Sequence, residues 1–488
     1  MEILVVFIVL VYGLAMLFIL LYSVAQLHLL YRFHLFLKHK QDAPVPPESW
    51  PMVTVQLPIY NEQYVVERLI DAVAGLDYPS DKLEIQILDD STDDTTALIR
   101  NKIKFYPQLD INLVRREVRT GFKAGALKHG LETAKGEFIA IFDADFTPNP
   151  DFLKRTLPYF KDPETGMVQT RWAHLNKDYS VLTKLQAMAL DAHFTVEQAG
   201  RNNLGAYINF NGTGGVWRKA TILDAGNWED DTLTEDLDLS YRAQMKGWKF
   251  NYLPDVESPA ELPPVMSALK SQQFRWTKGG AEAAVKHLGK VLGSEAPAKV
   301  KYHALAHLLN SAVFVAVLLA SLASIPLLWA RIHNLLPVVL FNAGAFALIS
   351  FVVISMVYFQ AATFGVPATF TRIVRFILYF PLFLSVSMGL ALHNAVAVWE
   401  GWTGHKSPFV RTPKFNLEAR GQTWQDNLYL NPLIPYTTYL EGLFGVLFLG
   451  VAVWGISQRE YGFLVFHLML TVGYLTVFFL SYSSYRKV

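Results

Sequence analysis

The chain has 488 residues, no cysteine and a formal net charge of +1. The missing cysteines exclude disulfides, thiolate metal sites and thiol nucleophiles, and the near-neutral balance excludes the strongly basic domain of a nucleic-acid binder. Hydrophobic residues make up 52% and charged residues 17%, against about 45–50% and about 25% in soluble domains, so apolar sequence is concentrated in parts of the chain.

The first concentration is Ile3 to Tyr22, long enough to cross a ~30 Å hydrocarbon core as a helix. Glu2 stands where a signal peptide carries a basic residue, and no small-residue cleavage site follows, so residues 1–30 read as an uncleaved anchor. Arg32, Lys38 and Lys40 come next, which by the positive-inside rule places the following region in the cytoplasm.

Residues 50–300 have the character of a soluble α/β domain. "MVTVQLPIY" (52–60), "LEIQILDD" (83–90), "INLVRR" (111–116) and "GEFIAIFDAD" (136–145) are short runs rich in β-formers. Stretches of helical length such as Glu62 to Leu76 and Thr92 to Phe105 separate them. This alternation predicts βαβ units and a mostly parallel sheet of Rossmann-like type. Such sheets bind ligands at the carboxyl ends of their strands, where Asp89, Asp90, Asp143 and Asp145 fall.

Residues 301–488 return to apolar sequence. Ala304 to Trp329, Leu336 to Phe359, Ile434 to Ile456 and Phe463 to Ser481 read as spans. Ile373 to Val398 is interrupted by Pro381, Gly389, His393 and Asn394, and reads as an interfacial helix over about 370–400. That placement keeps the basic loop "HKSPFVRTPKFNLEAR" (405–420) and the terminal "SSYRKV" on the cytoplasmic side.

Taken alone, an Asp-x-Asp is an ordinary solvated loop; fixed behind "FIAIF", it presents two hard oxygen donors together. Mg²⁺ or Mn²⁺ bound there shares its remaining positions with phosphate oxygens and acts as a Lewis acid toward a departing diphosphate. "TLTEDLDLSYRAQ" (232–244) allows two readings: Thr234 as an N-cap with first-turn acids favoured by the helix dipole, or Asp236 as a general base toward a sugar hydroxyl. Lys123, among the glycines of "GFKAGALKHG" (121–130), offers a cation for phosphate.

The ordered set "LPIYNE", "ILDDS", "KAGALK", "FDADF", "VQTRW", "NGTGGVWR", "TEDLDL" and "QQFRW" resembles the membrane-bound family 2 glycosyltransferases of the cellulose synthase superfamily. It resembles in particular the cellulose-synthase-like A and C groups, which make β-1,4-mannan or glucomannan and β-1,4-glucan. The resemblance implies a GT-A-type domain inserted in a helical transmembrane region. Pro58, Tyr60, Glu62, Asp89, Asp90, Lys123 and Asp143 would then bind the nucleotide-sugar donor, and Asp143 with Asp145 the Mg²⁺ or Mn²⁺. It further implies Asp236 as catalytic base, and Gln272, Arg275 and Trp276 at the acceptor. "PFVRTPK" (408–414) is similar to a gating loop and adds Thr412 and Lys414 to the donor side, although Arg411 stands where that family has valine. No cyclic-dinucleotide domain follows the last span, so activation by such a ligand is not indicated.

The expected activity is inverting, processive elongation of a β-1,4-linked polysaccharide from GDP-mannose or UDP-glucose, with export across the plasma or inner membrane. Its partners would be the donor, the growing polysaccharide and membrane lipids. The alternative is a single transfer onto a lipid acceptor, since ceramide glucosyltransferases carry a related motif set. A transporter with a regulatory domain would need neither an Asp-x-Asp nor a base.

Overall fold

The computed structural model describes residues 2–39, 44–336, 346–407, 410–417, 423–425, 427–430 and 434–485. The β-forming runs assemble into a seven-stranded sheet of order β3-β2-β1-β4-β6-β5-β7. The strands are β1 (Val53–Ile59), β2 (Leu83–Asp89), β3 (Asp110–Arg115), β4 (Phe138–Ile141), β5 (Thr165–His174), β6 (Gly215–Arg218) and β7 (Lys249–Ala260). β1 runs parallel to β2 and β4, and β2 parallel to β3, whereas β6 is antiparallel to β4 and β5.

β2 and β4 are buried along their whole length and β1 along nearly all of it, because helices cover both faces. Val55, Leu57 and Ile85 pack with Phe142 and Phe152 in one core layer, while Ile139, Ile141, Phe210 and Trp217 share the other. Since β1, β2 and β4 are parallel neighbours, their carboxyl ends open on one edge of the sheet. Tyr60–Glu62, Asp90 and Asp143–Asp145 are therefore delivered side by side.

Helix Met266–Gly293 carries "SQQFRWTKGG" and leads from this domain toward the apolar helices. Among the described residues, five helices are long and apolar enough to cross a membrane: Ile3–Lys38, Ala312–Ile332, Phe370–Gly389, Tyr436–Ser457 and Leu464–Tyr485. Their membership departs from the sequence reading. The span expected from Ala304 is broken, because helix Ala298–Leu308 ends before Ala312–Ile332 begins. Leu336–Phe359 falls partly on residues outside those described, and helix Phe346–Ala362 covers the part that is described.

The segment expected to lie along the interface is two helices, Phe370–Gly389 and Ala391–Thr403, and the first qualifies by length and composition. The break falls where Gly389 meets Gly473 of helix Leu464–Tyr485. A Cβ on Gly473 would lie 1.8 Å from the Ser385 carbonyl oxygen, so these helices touch backbone to backbone.

Gly473→Ala forces the two helices apart and is expected to cost about 1–3 kcal/mol as overpacking. Its thermal midpoint in detergent falls by several degrees, whereas Gly450→Ala, with nothing within 4 Å of the added methyl, leaves the midpoint unchanged.

Candidate active site

Pro58, Tyr60 and Glu62 from the end of β1, Asp90 beyond β2, and Asp143 and Asp145 beyond β4 line a cavity of about 120 Å³. Arg119 and Lys123 close one side, and Arg275, Arg411, Thr412 and Lys414 close the other. The pairing is systematic. Lys123 Nζ donates to Asp143 Oδ1 at 2.5 Å, Lys414 Nζ to Asp145 Oδ2 at 2.6 Å, and Arg411 lies 2.7 Å from Glu62 Oε2. Arg116 grips Asp90 with both its Nε (3.0 Å) and its Nη2. The Arg119 guanidinium lies 3.4 Å over the Tyr60 ring. Arg275 Nη2 donates to Thr412 Oγ1 at 2.8 Å.

Burial in this cleft pushes Glu62 up to about 7, against the pull of Arg411 and Lys414. Asp236 lies alongside, at the start of helix Glu235–Met245. Burial, then repulsion from Glu235, raises it to about 7 although Lys123 pulls the other way. Glu235 is itself raised by burial. Gly212, at φ +80°, separates Asp236 from Lys123: a Cβ there would lie 3.1 Å from Asp236 Oδ2 and 3.3 Å from Lys123 Nζ. The Gly212 carbonyl accepts from Lys123 at 2.9 Å.

Thr234 occupies the N-cap position without a side-chain capping bond, so capping does not account for this motif. Five of the six acids between positions 229 and 238 fall into two groups, Asp230 lying against Gly121 instead. Glu229, Asp231 and Asp238 gather about the Lys286 ammonium at 2.6, 2.6 and 2.8 Å, and Asp238 also accepts from His287. Their oxygens are close enough to share an ion, but Lys286 already supplies the charge. Glu235 and Asp236 are left facing the cleft.

Asp143 and Asp145 fit a divalent cation. Each is held by a lysine through one oxygen, and Asp145 Oδ1 is buried with no hydrogen-bond partner among the described residues. Hard oxygen donors so placed suit Mg²⁺ or Mn²⁺.

Asp89, expected beside Asp90 at the donor, points the other way. It is buried, accepts from Thr96 Oγ1 and the Ser91 amide, and pairs with Arg115, because successive strand residues face opposite sides. Gln272, Arg275 and Trp276 are half-buried on helix Met266–Gly293. The Trp276 ring lies 6.3 Å from Trp172, which stacks on Phe194 at 4.8 Å. Trp172, Glu235, Gly212, Arg116 and Arg119 escaped the residue-by-residue reading; the basic run 115–119 just after β3 was the available signal for the two arginines. Of the gating-loop-like stretch, residues 408 and 409 lie outside those described.

Gly212→Ala pushes Asp236 and Lys123 apart and forces a left-handed backbone on alanine. Transfer should fall at least tenfold while the thermal midpoint moves little, read from initial rates beside a melting curve.

Residues 51–279 match the family described as glycosyltransferase like family 2. The chain is 43% identical over 258 residues to glucomannan 4-beta-mannosyltransferase 1 of Oryza sativa subsp. japonica, covering 51% of this chain and 50% of that protein. It is 41% identical over 286 residues to glucomannan 4-beta-mannosyltransferase 2 of Arabidopsis thaliana, covering 57% and 53%. The chain thus spans about half the length of the curated relatives it matches. A mannosyltransferase from Pyrobaculum calidifontis, solved with GDP-Man and Mn²⁺, superposes with a TM-score of 0.56 at 20% identity over 81% of this chain and 100% of that one, a likeness of fold. Residues 51–279, which build the GT-A-like sheet, thus match the family 2 glycosyltransferases.

Proposed function

We propose that the chain transfers mannosyl groups from GDP-mannose to the end of a growing β-1,4-linked polysaccharide, with inversion at the anomeric carbon. One observation carries this reading: Asp236, a carboxylate raised to about 7, meets Lys123 at Gly212, and Lys123 in turn holds Asp143. A base poised near the working pH stands beside groups suited to a diphosphate.

Asp236 takes the proton from the acceptor hydroxyl. The acceptor oxygen then bonds to the anomeric carbon as the bond to the diphosphate oxygen breaks on the opposite face, so an α-linked donor gives a β-linkage. Lys123 and Arg275 border the departing diphosphate. Asp143 and Asp145 would hold Mg²⁺ or Mn²⁺, which would supply positive charge to neutralise the leaving diphosphate. Trp276, backed by Trp172, offers an aromatic face to the terminal acceptor sugar, with Gln272 one turn earlier. Pro58, Tyr60, Glu62 and Asp90 receive the nucleoside side. A cavity of about 120 Å³ is smaller than the roughly 300–1,000 Å³ of ligand pockets, so Arg411 and Lys414 leave Glu62 and Asp145 as the donor enters, with Thr412 moving alongside.

GDP-mannose is preferred to UDP-glucose because relatives at 41–43% identity are named mannosyltransferases. The apolar helices support a multi-pass membrane enzyme with its cleft on the cytoplasmic side, feeding the polymer toward the membrane.

Membranes containing the full chain are incubated with Mn²⁺ and either GDP-[¹⁴C]mannose or UDP-[¹⁴C]glucose. A precipitable, β-mannanase-sensitive polymer from the first donor is expected. One sugar on an organic-soluble lipid, or a glucan only, contradicts the proposal. Asp236→Asn should lower transfer by about 10²–10⁴-fold while donor binding persists.

A further inference from the structure

Helix Met266–Gly293 buries two lysines, Lys270 and Lys278, at 2% and 1% exposure. Positions 270, 274 and 278 recur every four residues and share one helix face, with Arg275 at its border three residues before Lys278 and Gln272 and Trp276 facing elsewhere. The lysine face is pinned to the membrane region. Lys270 Nζ donates to both Glu441 oxygens at 2.9 Å, and its carbonyl accepts from His393 Nε2 at 3.0 Å. The Phe274 ring lies 5.5 Å from His393. At Gly401 a Cβ would meet the Lys278 carbonyl at 2.7 Å, so helices Met266–Gly293 and Ala391–Thr403 are in backbone contact.

Lys278 does more than balance a charge. An ammonium has three donors, and Lys278 reaches Glu400 Oε2 at 3.0 Å, the His405 carbonyl at 2.6 Å and Ser407 Oγ at 2.6 Å. The first partner lies in helix Ala391–Thr403. The other two lie in the segment that leaves this helix through Gly404, at φ +71°. Only residues 408 and 409 then separate Ser407 from the segment that sets Arg411 on Glu62, Thr412 on Arg275 and Lys414 on Asp145. Arg275 and Lys278 are three residues apart on one helix, so the acceptor helix holds the donor-side segment at two places. Burying a lysine is costly unless specific partners are fixed, and a register role is the best-attested use of such a charge.

We propose that Lys278 is a positioning residue that sets residues 405–407, and through them 410–414, against the acceptor helix, so that donor side and acceptor side share one register. Its consequence for catalysis rests on the glycosyltransfer reading; its geometric part does not.

Because the chain has no cysteine, cysteines introduced at the exposed Val410 and Phe105 can be spin-labelled uniquely. Distances between them are read by pulsed electron resonance in the full chain in nanodiscs. Lys278→Met broadens or shifts the distribution, and Lys278→Met with Glu400→Gln does the same, since the contacts to 405 and 407 are lost in both. Donor KM rises by about tenfold, with a smaller change in kcat. A distribution like the wild type's in both variants overturns the proposal, as does its recovery in the double variant, where Lys278 would only neutralise Glu400. Should these variants not fold, Ser407→Ala removes one of the three contacts, and an unchanged distribution there counts against the proposal. Shifted distances in a chain that transfers no sugar overturn the functional reading while leaving the positioning role standing.

Discussion

Carboxylates crowded at one edge of a buried sheet must be balanced. Two unit charges about 4 Å apart interact by about 4 kcal/mol at an effective dielectric near 20, and Glu62, Asp90, Asp143 and Asp145 line one cleft, with Glu235 and Asp236 close enough to feel the charge of Lys123. The cations come from three separate parts of the chain: Asp90 takes Arg116 after β3, Asp143 takes Lys123 on the next helix, and Asp145 and Glu62 take Lys414 and Arg411 from one segment near the far end of the chain. The charge requirement therefore ties the catalytic domain to the segment between the apolar helices. Removing one member of such a pair leaves its partner buried and alone, which costs far more than the pair contributes.

The balance is incomplete by design of the site. Among the described residues, Glu235 and Asp236 have no ion-pair partner within salt-bridge distance, and burial, joined by the charge of Asp143 at Glu235 and of Glu235 at Asp236, holds their protons more tightly. The carboxylates that are paired suit binding, and those left unpaired suit proton transfer. Gly212 lets both Asp236 and Lys123 approach its backbone, and its carbonyl accepts from Lys123 at 2.9 Å.

Much of this arrangement was legible in the residues. The strands were visible as β-forming runs, and their parallel order followed from alternation with helices, so the convergence of Asp90, Asp143 and Asp145 was foreseeable. The helix opened by Glu235 and the long helix bearing Arg275 and Trp276 carry motifs whose order identifies them. What failed depended on direction or on distance. Asp89 and Asp90 are adjacent in sequence yet face opposite sides of β2, and only the register with its neighbours decides which meets the cleft. Arg411 looked like a departure from a motif, and its partner Glu62 lies far away in sequence. The helix break before Ala312 lies in a stretch that hydropathy reads as continuous, and Phe370–Gly389 ends where Gly389 meets Gly473.

The central claim is that Asp236 serves as base because burial and Glu235 raise it into the neutral range. The pH dependence of kcat/KM for transfer, recorded for the wild type and for Glu235→Gln with the same metal, tests it directly. A base works when ionised, so activity should rise with pH through about 7 in the wild type. The rising limb should move to lower pH in Glu235→Gln, where the like charge is gone. Superimposable profiles for the two enzymes, or a profile that falls through this range, would contradict the account.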